Sequence, residues 1–168
     1  MSQICTINPA TNEPISQFDL MDRETAFSKV EEAHAAFLEW KEKSHEERAP
    51  YLLDIAKALR EHCDALAELM TTETGKLLRD GKTEVELCAR IFEYTAKQGP
   101  KVLAQEERKH SGGEKDGLVA YCPIGVIYSI QPWNFPVYQP VRVLAANLMA
   151  GNSVILKHAT ICTGSALM

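Results

Sequence analysis

The sequence predicts an α/β fold in which an amino-terminal hairpin and helices precede one strand–helix–strand unit. Three observations support this class. Residues 22–98 carry apolar side chains mainly at helical spacing. Two short apolar runs, at residues 125–130 and 153–157, flank a segment long enough for one crossover helix. Both runs are nearly continuous in apolar side chains, which is typical of parallel strands buried on both faces.

The first elements are predicted to be a hairpin and a helix. Residues 4–18 alternate in polarity around a Pro-Ala-Thr-Asn cluster, as two short strands joined by a turn do. Asp22 can cap a first helix that runs to about residue 43. One face of that helix carries apolar side chains at helical spacing, namely Ala26, Val30, Ala33, Phe37 and Trp40. This face is predicted to pack against the rest of the domain.

Two further helices are predicted in the first hundred residues. Ser44 and Glu47 form a capping box that opens the second helix, and Gly75 supplies its stop. The third helix covers about residues 82–98 and ends at Gly99-Pro100. We interpret these helices chiefly as packing and support.

The segment after the helices changes character. Residues 101–123 are polar and then apolar around Gly112-Gly113, which predicts a protruding hairpin. The strand–helix–strand unit follows, and its helix is predicted over about residues 136–150 with a stop at Gly151.

A site is expected at one edge of the predicted sheet. In open parallel sheets, ligands bind beyond the carboxyl ends of the strands. The carboxyl ends of these two strands deliver Pro132-Trp133-Asn134 and Lys157-His158 to the same edge.

Composition excludes several classes of function. The formal net charge of −5 offers no basic face for nucleic acid. No window has the apolar length of a membrane span, and the first residues lack the pattern of a secretory signal. The five cysteines are scattered without a Cys-x-x-Cys pair, so neither a metal site nor a disulfide framework is indicated. We therefore predict a soluble cytoplasmic protein without a nucleic-acid or membrane partner.

Charge is distributed unevenly along the chain. From Leu118 to Met168 the formal charges are Arg142 and Lys157, with no acid, whereas the first 117 residues carry 16 basic and 23 acidic residues. The last third is therefore predicted to be mostly interior. It needs a cover that the preceding residues do not fully supply.

Asn134 is a candidate site residue. It lies just before a predicted helix N-terminus, where the helix dipole favours negative charge. A side-chain amide N–H fixed there is a suitable donor to an oxyanion that develops in acyl chemistry. The alternative is an ordinary N-cap, which Asn134 taken alone favours.

Five motifs follow one another along the chain. They are Ile7-Asn8-Pro9-Ala10-Thr11, Glu73-Thr74-Gly75-Lys76, Pro123-Ile124-Gly125-Val126, Pro132-Trp133-Asn134-Phe135-Pro136 and Ala150-Gly151-Asn152-Ser153-Val154-Ile155-Leu156-Lys157. In order and spacing they resemble the aldehyde dehydrogenase superfamily, over essentially the whole chain. The Pro-Trp-Asn-Phe-Pro block is the most specific of them. The resemblance implies that residues 124–168 are the first strand–helix–strand unit of a Rossmann-like cofactor domain.

The resemblance implies roles at the predicted edge. Asn134 matches the asparagine that stabilises the thiohemiacetal oxygen while hydride leaves for the nicotinamide. Lys157 matches the lysine that hydrogen-bonds the adenosine ribose. Trp133 matches a position whose backbone lines the cofactor cleft, and three preceding residues are expected to line it as well: Ile130, Gln131 and Pro132.

Residues 157–160 depart from the family pattern. Where the family commonly has Lys-Pro-x-Glu, this chain has Lys157-His158-Ala159-Thr160. The missing glutamate normally grips both ribose hydroxyls and disfavours a 2′-phosphate, so NAD and NADP both remain open as cofactors. Thr160 and His158 are candidate cofactor contacts. His158 either helps to hold a phosphate or packs, and packing is favoured.

Arg142 is the candidate substrate-binding residue. It lies in the second turn of an otherwise uncharged helix, where a buried guanidinium needs an anionic partner. Its position resembles the arginine with which succinate-semialdehyde dehydrogenases hold the distal carboxylate of the substrate. The alternative is an ion pair with an acid elsewhere in the chain. The substrate implied is an aldehyde that carries its own carboxylate, such as succinate semialdehyde, which would be oxidised to succinate.

Family chemistry also needs a cysteine nucleophile and a glutamate general base, and neither can be placed in this sequence. Ser2-Gln3-Ile4-Cys5 matches part of the nucleophile motif only in letters. The chain also stops within a helix that begins near Thr160. We interpret residues 1–168 as the amino-terminal part of an NAD(P)-dependent aldehyde dehydrogenase, inactive alone and homo-oligomeric when complete.

A different class of function is an alternative. The chain would then be a non-catalytic remnant that acts as an interaction or oligomerisation module. The hairpin at residues 101–123 and the apolar strand–helix–strand unit would supply its contact surface, since a comparable hairpin takes part in subunit pairing in this family. Co-purification of the folded chain with a full-length dehydrogenase would favour this alternative.

Overall fold

The computed structural model describes residues 2–109, 112 and 116–168. Its elements confirm the α/β class, with a 3₁₀ turn at Thr160–Cys162 before the last helix. In chain order they are β1 (Gln3–Ile7), β2 (Pro14–Asp19), α1 (Arg23–Trp40), α2 (His45–Glu61), α3 (Cys63–Thr74), α4 (Leu78–Val102), β3 (Glu106–Arg108), β4 (Gly117–Val119), β5 (Val126–Ile130), α5 (Tyr138–Ala150), β6 (Ser153–Lys157) and α6 (Thr163–Leu167).

The amino-terminal hairpin and α1 form where the sequence predicts them. Strands β1 and β2 pair antiparallel, and Asp22 caps α1 by accepting the amide hydrogen of Thr25 at 2.7 Å. The predicted apolar face of α1 is less buried than expected, because no residue of this helix is buried. Three residues of the helix are half-buried, namely Ala33, Phe37 and Trp40.

The second predicted helix is in fact two helices. Helix α2 begins with the predicted capping box, in which the Glu47 amide donates to Ser44 Oγ at 3.1 Å. It ends at Glu61, because His62 leaves the helical conformation with φ −98° and ψ 9°. Helix α3 then continues to Gly75, which supplies the predicted stop with φ 73°. The apolar spacing continues across His62, so the sequence pattern does not show the break.

Helix α4 is longer than predicted at both ends. The expected stop at Gly99-Pro100 lies inside its last turn. Gly99 serves a close helix contact instead, because a Cβ on this residue would lie 2.4 Å from Cγ of Met149 in α5. The hydrophobic core lies between α2, α4 and α5, and α3 adds to it. Its buried members include Leu52, Ala56, Met70, Val85, Cys88, Phe92, Val141, Ala145 and Met149.

Strands β5 and β6 form the predicted parallel pair around α5. Their register runs from Val126↔Ser153 to Ile130↔Lys157. Helix α5 begins at Tyr138, two residues later than predicted, and ends at Gly151 with φ 96°. Helix α1 covers one side of this unit, where Trp40 Nε1 donates to the Leu148 carbonyl at 2.8 Å.

The last third of the chain is incompletely covered, as its lack of charge predicts. Large apolar side chains stay exposed around β5 and the turn that follows it, among them Ile124, Tyr128, Ile130, Trp133 and Phe135. The hairpin predicted at residues 101–123 is present as the antiparallel pair β3 and β4, while Gly113 of its predicted turn lies outside the described residues. Within the described part of the chain, no helix combines the length and hydropathy that a bilayer span requires.

Candidate active site

Two turns meet at the carboxyl edge of the β5–β6 pair. The first follows β5 and contains Asn134, and the second follows β6 and contains His158. The Gln131 amide donates to the Lys157 carbonyl at 3.0 Å, and His158 Nε2 lies 2.8 Å from the Pro136 carbonyl. The parallel topology therefore brings together the two segments that the sequence assigns to one edge.

At this edge the side-chain amide of Asn134 is exposed and makes no hydrogen bond with the described residues. The N-cap of α5 is Val137, so the interpretation of Asn134 as an ordinary cap is wrong. Its backbone carbonyl is held instead, since Lys76 Nζ donates to it at 3.2 Å. The backbone is thus fixed while the amide N–H groups remain available to an acceptor.

Glu84 of α4 caps α5 from outside that helix. The residue is only 3% exposed, and its Oε1 accepts the amide hydrogens of Val137 and Tyr138, each at 2.9 Å. Helix α5 has no side-chain cap of its own, so this carboxylate satisfies two otherwise orphan donors. A negative charge at this helix end is also favoured by the helix dipole.

Lys76 connects Glu84 to the Asn134 turn. Its ammonium pairs with Oε2 of Glu84, and the lysine side chain is only 14% exposed. The same ammonium lies 4.1 Å from the centroid of the Phe135 ring, within the range of a cation–π contact. In the sequence Lys76 belongs to the Glu-Thr-Gly-Lys motif, whereas Glu84 belongs to none of the five motifs. The sequence feature that could have indicated the role of Glu84 is the presence of an acidic residue next to Val85 on the apolar face of α4.

The His158 side chain is fully engaged within the protein. Its Nδ1 accepts the Ala159 amide hydrogen at 2.8 Å, which places the ring proton on Nε2. Nε2–H can then donate to the Pro136 carbonyl at 2.8 Å. His158 therefore ties the second turn to the first, in agreement with the packing interpretation of this residue.

Cys162 contacts His158 but lacks the character of a nucleophile. Its Sγ lies 3.1 Å from Nδ1 of the imidazole, and the residue is buried. Burial raises the pKa of the thiol to about 11, with a smaller contribution from the negative charges of Glu73 and Glu84. Because the thiolate is the reactive form of cysteine, this contact does not form a catalytic pair.

A second buried glutamate holds the start of α6, the helix that follows the second turn. Glu73 of α3 is 2% exposed and accepts the amide hydrogen of Gly164 at 2.8 Å. It also accepts from the amide and the hydroxyl of Ser165, at 2.9 and 2.7 Å. Local sequence patterns do not predict this role, because the partners lie more than 90 residues away.

The predicted cofactor contacts surround these two turns. Lys157 and Thr160 are exposed, and among the described residues neither side chain has a polar partner. Trp133 is 54% exposed, and Ile130 and Pro132 are also exposed. The last predicted contact, Gln131, is half-buried and donates through Nε2 to Ser129 Oγ at 2.6 Å.

Arg142 does not have the burial that its sequence context suggests. The residue is exposed in α5, so the expectation of a buried guanidinium is wrong for this chain. The alternative, an ion pair with an acid elsewhere, is not found among the described residues either. Its guanidinium is therefore available to an external anion.

The fold at this edge is a parallel strand–helix–strand unit of the α/β class, and the side chains of Asn134, Lys157 and Thr160 are exposed there. The family model described as the aldehyde dehydrogenase family matches residues 1–168. The chain belongs to this family, which confirms the resemblance that its motifs show.

Related proteins agree with this assignment. The chain is 41% identical over 162 residues to a succinate-semialdehyde dehydrogenase (NADP+) of Deinococcus radiodurans, covering 96% of this chain and 34% of that protein. It is 37% identical over 158 residues to the enzyme of the same name from Mycobacterium leprae, covering 94% and 35%. The chain therefore spans about a third of the length of these curated relatives.

Solved structures agree as well. One is a succinic semialdehyde dehydrogenase from Streptococcus pyogenes in complex with NADP+, with 38% identity and a TM-score of 0.91. This match covers 98% of the chain and 36% of the Streptococcus protein. A second, described as Gox0499, has 34% identity and a TM-score of 0.94, covering 99% of this chain and 36% of that one.

Proposed function

We propose that the complete protein is an NADP-dependent aldehyde dehydrogenase that oxidises succinate semialdehyde to succinate. In this proposal, residues 1–168 supply the oxyanion donor and part of the cofactor and substrate sites. The main support is that the Asn134 side-chain amide has no hydrogen-bond partner among the described residues. Its turn is nevertheless held by Lys76, Glu84 and His158. A fixed backbone with a free amide is the arrangement that an oxyanion donor requires.

Asn134 acts on the charge that develops during the reaction. Attack of a cysteine thiolate on the aldehyde carbon breaks the carbonyl π bond and leaves the electron pair on oxygen. The amide N–H groups of Asn134 donate to this oxygen and stabilise the thiohemiacetal. Because the turn is already ordered, little reorganisation is required when the charge forms.

The cofactor contacts are proposed at the same edge. Lys157 and Thr160 would hold the adenosine ribose and its 2′-phosphate, and the backbone of residues 130–133 would line the cleft. The unpartnered ammonium and hydroxyl at this edge fit such a polar ligand. Thr160 places no carboxylate where the family commonly has glutamate, so a 2′-phosphate meets no repulsion there. When bound, the nicotinamide ring supplies the oxidant that accepts the hydride.

Two observations favour NADP over NAD as the cofactor. The relatives from Deinococcus and Mycobacterium are named for NADP+, and the Streptococcus structure contains NADP+. Thr160 also favours NADP, because its uncharged side chain does not repel a 2′-phosphate.

Arg142 is proposed to hold the substrate's own carboxylate. A guanidinium can bind a carboxylate through two parallel hydrogen bonds, and this one has no partner in the described residues. The names of the relatives favour a substrate of this type, succinate semialdehyde. The cysteine nucleophile and the glutamate base would come from the remainder of the protein, so residues 1–168 alone would be inactive. Homo-oligomerisation and a cytoplasmic location remain predictions.

The test uses the complete coding sequence. The purified protein is expected to reduce NADP+ with succinate semialdehyde, at a higher kcat/KM than with NAD+. Asn134→Ala should lower kcat by about 10²- to 10³-fold, as loss of one oxyanion donor does elsewhere. An Asn134→Ala enzyme with unchanged kcat would rule out the oxyanion role, and a complete protein inactive on all aldehydes would rule out the reaction.

A further inference from the structure

We propose that the largely buried Lys76–Glu84 pair is a positioning device that sets the direction of the Asn134 side-chain amide. This inference rests on the proposed function, since it assigns the pair to the orientation of the oxyanion donor. Neither residue would touch the substrate. Both act through the backbone of the turn between β5 and α5.

The pair holds the turn at Asn134 and again at the start of α5. At Asn134, Lys76 Nζ donates to the carbonyl of the residue itself at 3.2 Å. At the start of α5, Glu84 Oε1 accepts the amide hydrogens of Val137 and Tyr138, each at 2.9 Å. Phe135 and Pro136 lie between these anchors, and Pro136 is fully buried and has a restricted φ. The backbone that follows the Asn134 Cα is thus left with little freedom.

A single ammonium couples the two anchors. Lys76 Nζ contacts the Glu84 carboxylate that caps α5 and, at the same time, the carbonyl of Asn134. It also lies over the ring of Phe135, the residue after Asn134. If Lys76 is removed, the turn loses its contact at Asn134, and Glu84 is left as a buried carboxylate without its partner. One substitution should therefore loosen both ends of the turn.

Stability alone explains this pair poorly. A buried ion pair is weak evidence for stability, because desolvation of both charges offsets their attraction. The contacts of this pair converge on the turn that carries the unpartnered amide. By contrast, Lys82 of α4, the helix that carries Glu84, pairs with Asp64 at 2.8 Å in an exposed position, and no contact with either turn is found among the described residues. Lys82 provides a matched control, a lysine–carboxylate pair without a link to Asn134.

The kinetic test uses the complete enzyme and its Lys76→Met, Glu84→Gln and Lys82→Met variants. Lys76→Met should lower kcat by about tenfold to a hundredfold, because small displacements of a catalytic group cost up to about that much. KM for NADP+ should change little, and Lys76→Arg should recover part of kcat by restoring the charge. Lys82→Met should retain kcat. A merely structural role would lower the amount of folded enzyme and leave kcat per active site unchanged.

Hydrogen–deuterium exchange of the 131–139 segment supplies a readout independent of activity. Exchange at Val137 and Tyr138 should become faster in Lys76→Met and Glu84→Gln and stay unchanged in Lys82→Met. Faster exchange together with lower kcat supports the inference. Unchanged exchange, or faster exchange with unchanged kcat, overturns it. Should Lys76→Met fail to fold, the isosteric Glu84→Gln decides by the same criteria.

Failure of the proposed function has a different signature. A complete wild-type protein inactive on every aldehyde would refute the function while its 131–139 segment remained protected. In that case, hydrogen–deuterium exchange in the three variants would by itself show whether the Lys76–Glu84 pair holds the turn.

Discussion

Ser165 donates two hydrogen bonds to Oε2 of Glu73, one from its amide at 2.9 Å and one from its hydroxyl at 2.7 Å. The contact has a counterpart in Glu84, which binds the first amides of α5. Both glutamates are buried, and they come from the neighbouring helices α3 and α4. Each one holds the start of the helix that follows a strand. Helices α3 and α4 therefore hold the starts of the two helices that follow the turns of the candidate site.

Glu73→Gln should destabilise the protein through the start of α6. Glu73 accepts three hydrogen bonds, and a glutamine amide can present only one oxygen to these donors. We expect the free energy of unfolding to fall by about 1–3 kcal/mol, the cost of unsatisfied buried donors. Urea denaturation measures it. Glu68→Gln, the same change at an exposed position of α3, should stay within about 0.5 kcal/mol of wild type. Equal effects of the two substitutions would contradict the capping role.

Local patterns predicted much of the fold. The capping box at Ser44, the stops at Gly75 and Gly151 and the parallel strand pair are all where the sequence placed them. Each depends on residues close together in sequence or on a strong apolar period. The break at His62 was missed, because side chains on either side keep the same apolar spacing.

The polar side chains that hold the site could not be predicted from the sequence. Asn134 was identified because its motif is local and specific. Lys76 contacts the carbonyl of a residue 58 positions away, and Glu73 contacts amides 91 and 92 positions away. Such contacts depend on how the helices pack against the rest of the chain. The sequence of a helix does not identify which distant groups its buried carboxylates will bind. Arg142 shows the converse, since its uncharged neighbours suggested burial whereas the residue is exposed.

The cysteines should differ sharply in reactivity. Burial raises the pKa of Cys162 to about 11 and that of Cys88 to about 12, so both thiols stay protonated at pH 8. Alkylation proceeds through the thiolate and needs access to the sulfur. In the folded 168-residue chain, iodoacetamide at pH 8 should modify the exposed Cys5 and Cys122 first, and the buried pair only after unfolding in urea. Mass spectrometry of the labelled peptides distinguishes them. Native labelling of Cys162 at the rate of Cys5 would contradict its burial.

Thr160→Glu should shift the cofactor preference of the complete enzyme. The substitution puts a carboxylate beside the proposed position of the 2′-phosphate, and like charges brought together at an interface cost several kcal/mol. We expect kcat/KM for NADP+ to fall about tenfold or more, while the value for NAD+ is retained or rises. Thr160→Gln is the neutral control of similar size, and it should change the two cofactors much less. Equal losses for NADP+ and NAD+ in Thr160→Glu would argue against a 2′-phosphate at this position.

Arg142→Leu should weaken binding of a charged substrate selectively. The guanidinium is exposed, and the described residues offer it no acidic partner, so its removal leaves no protein charge unpaired. In the complete enzyme we expect KM for succinate semialdehyde to rise about tenfold or more, because charged hydrogen bonds contribute about 1.5–3 kcal/mol. KM for an uncharged aldehyde of similar size should hardly change. Arg79→Leu, which removes an exposed arginine that pairs with Asp80, controls for the loss of positive charge. An equal rise in KM for both aldehydes would show that Arg142 does not bind the substrate carboxylate.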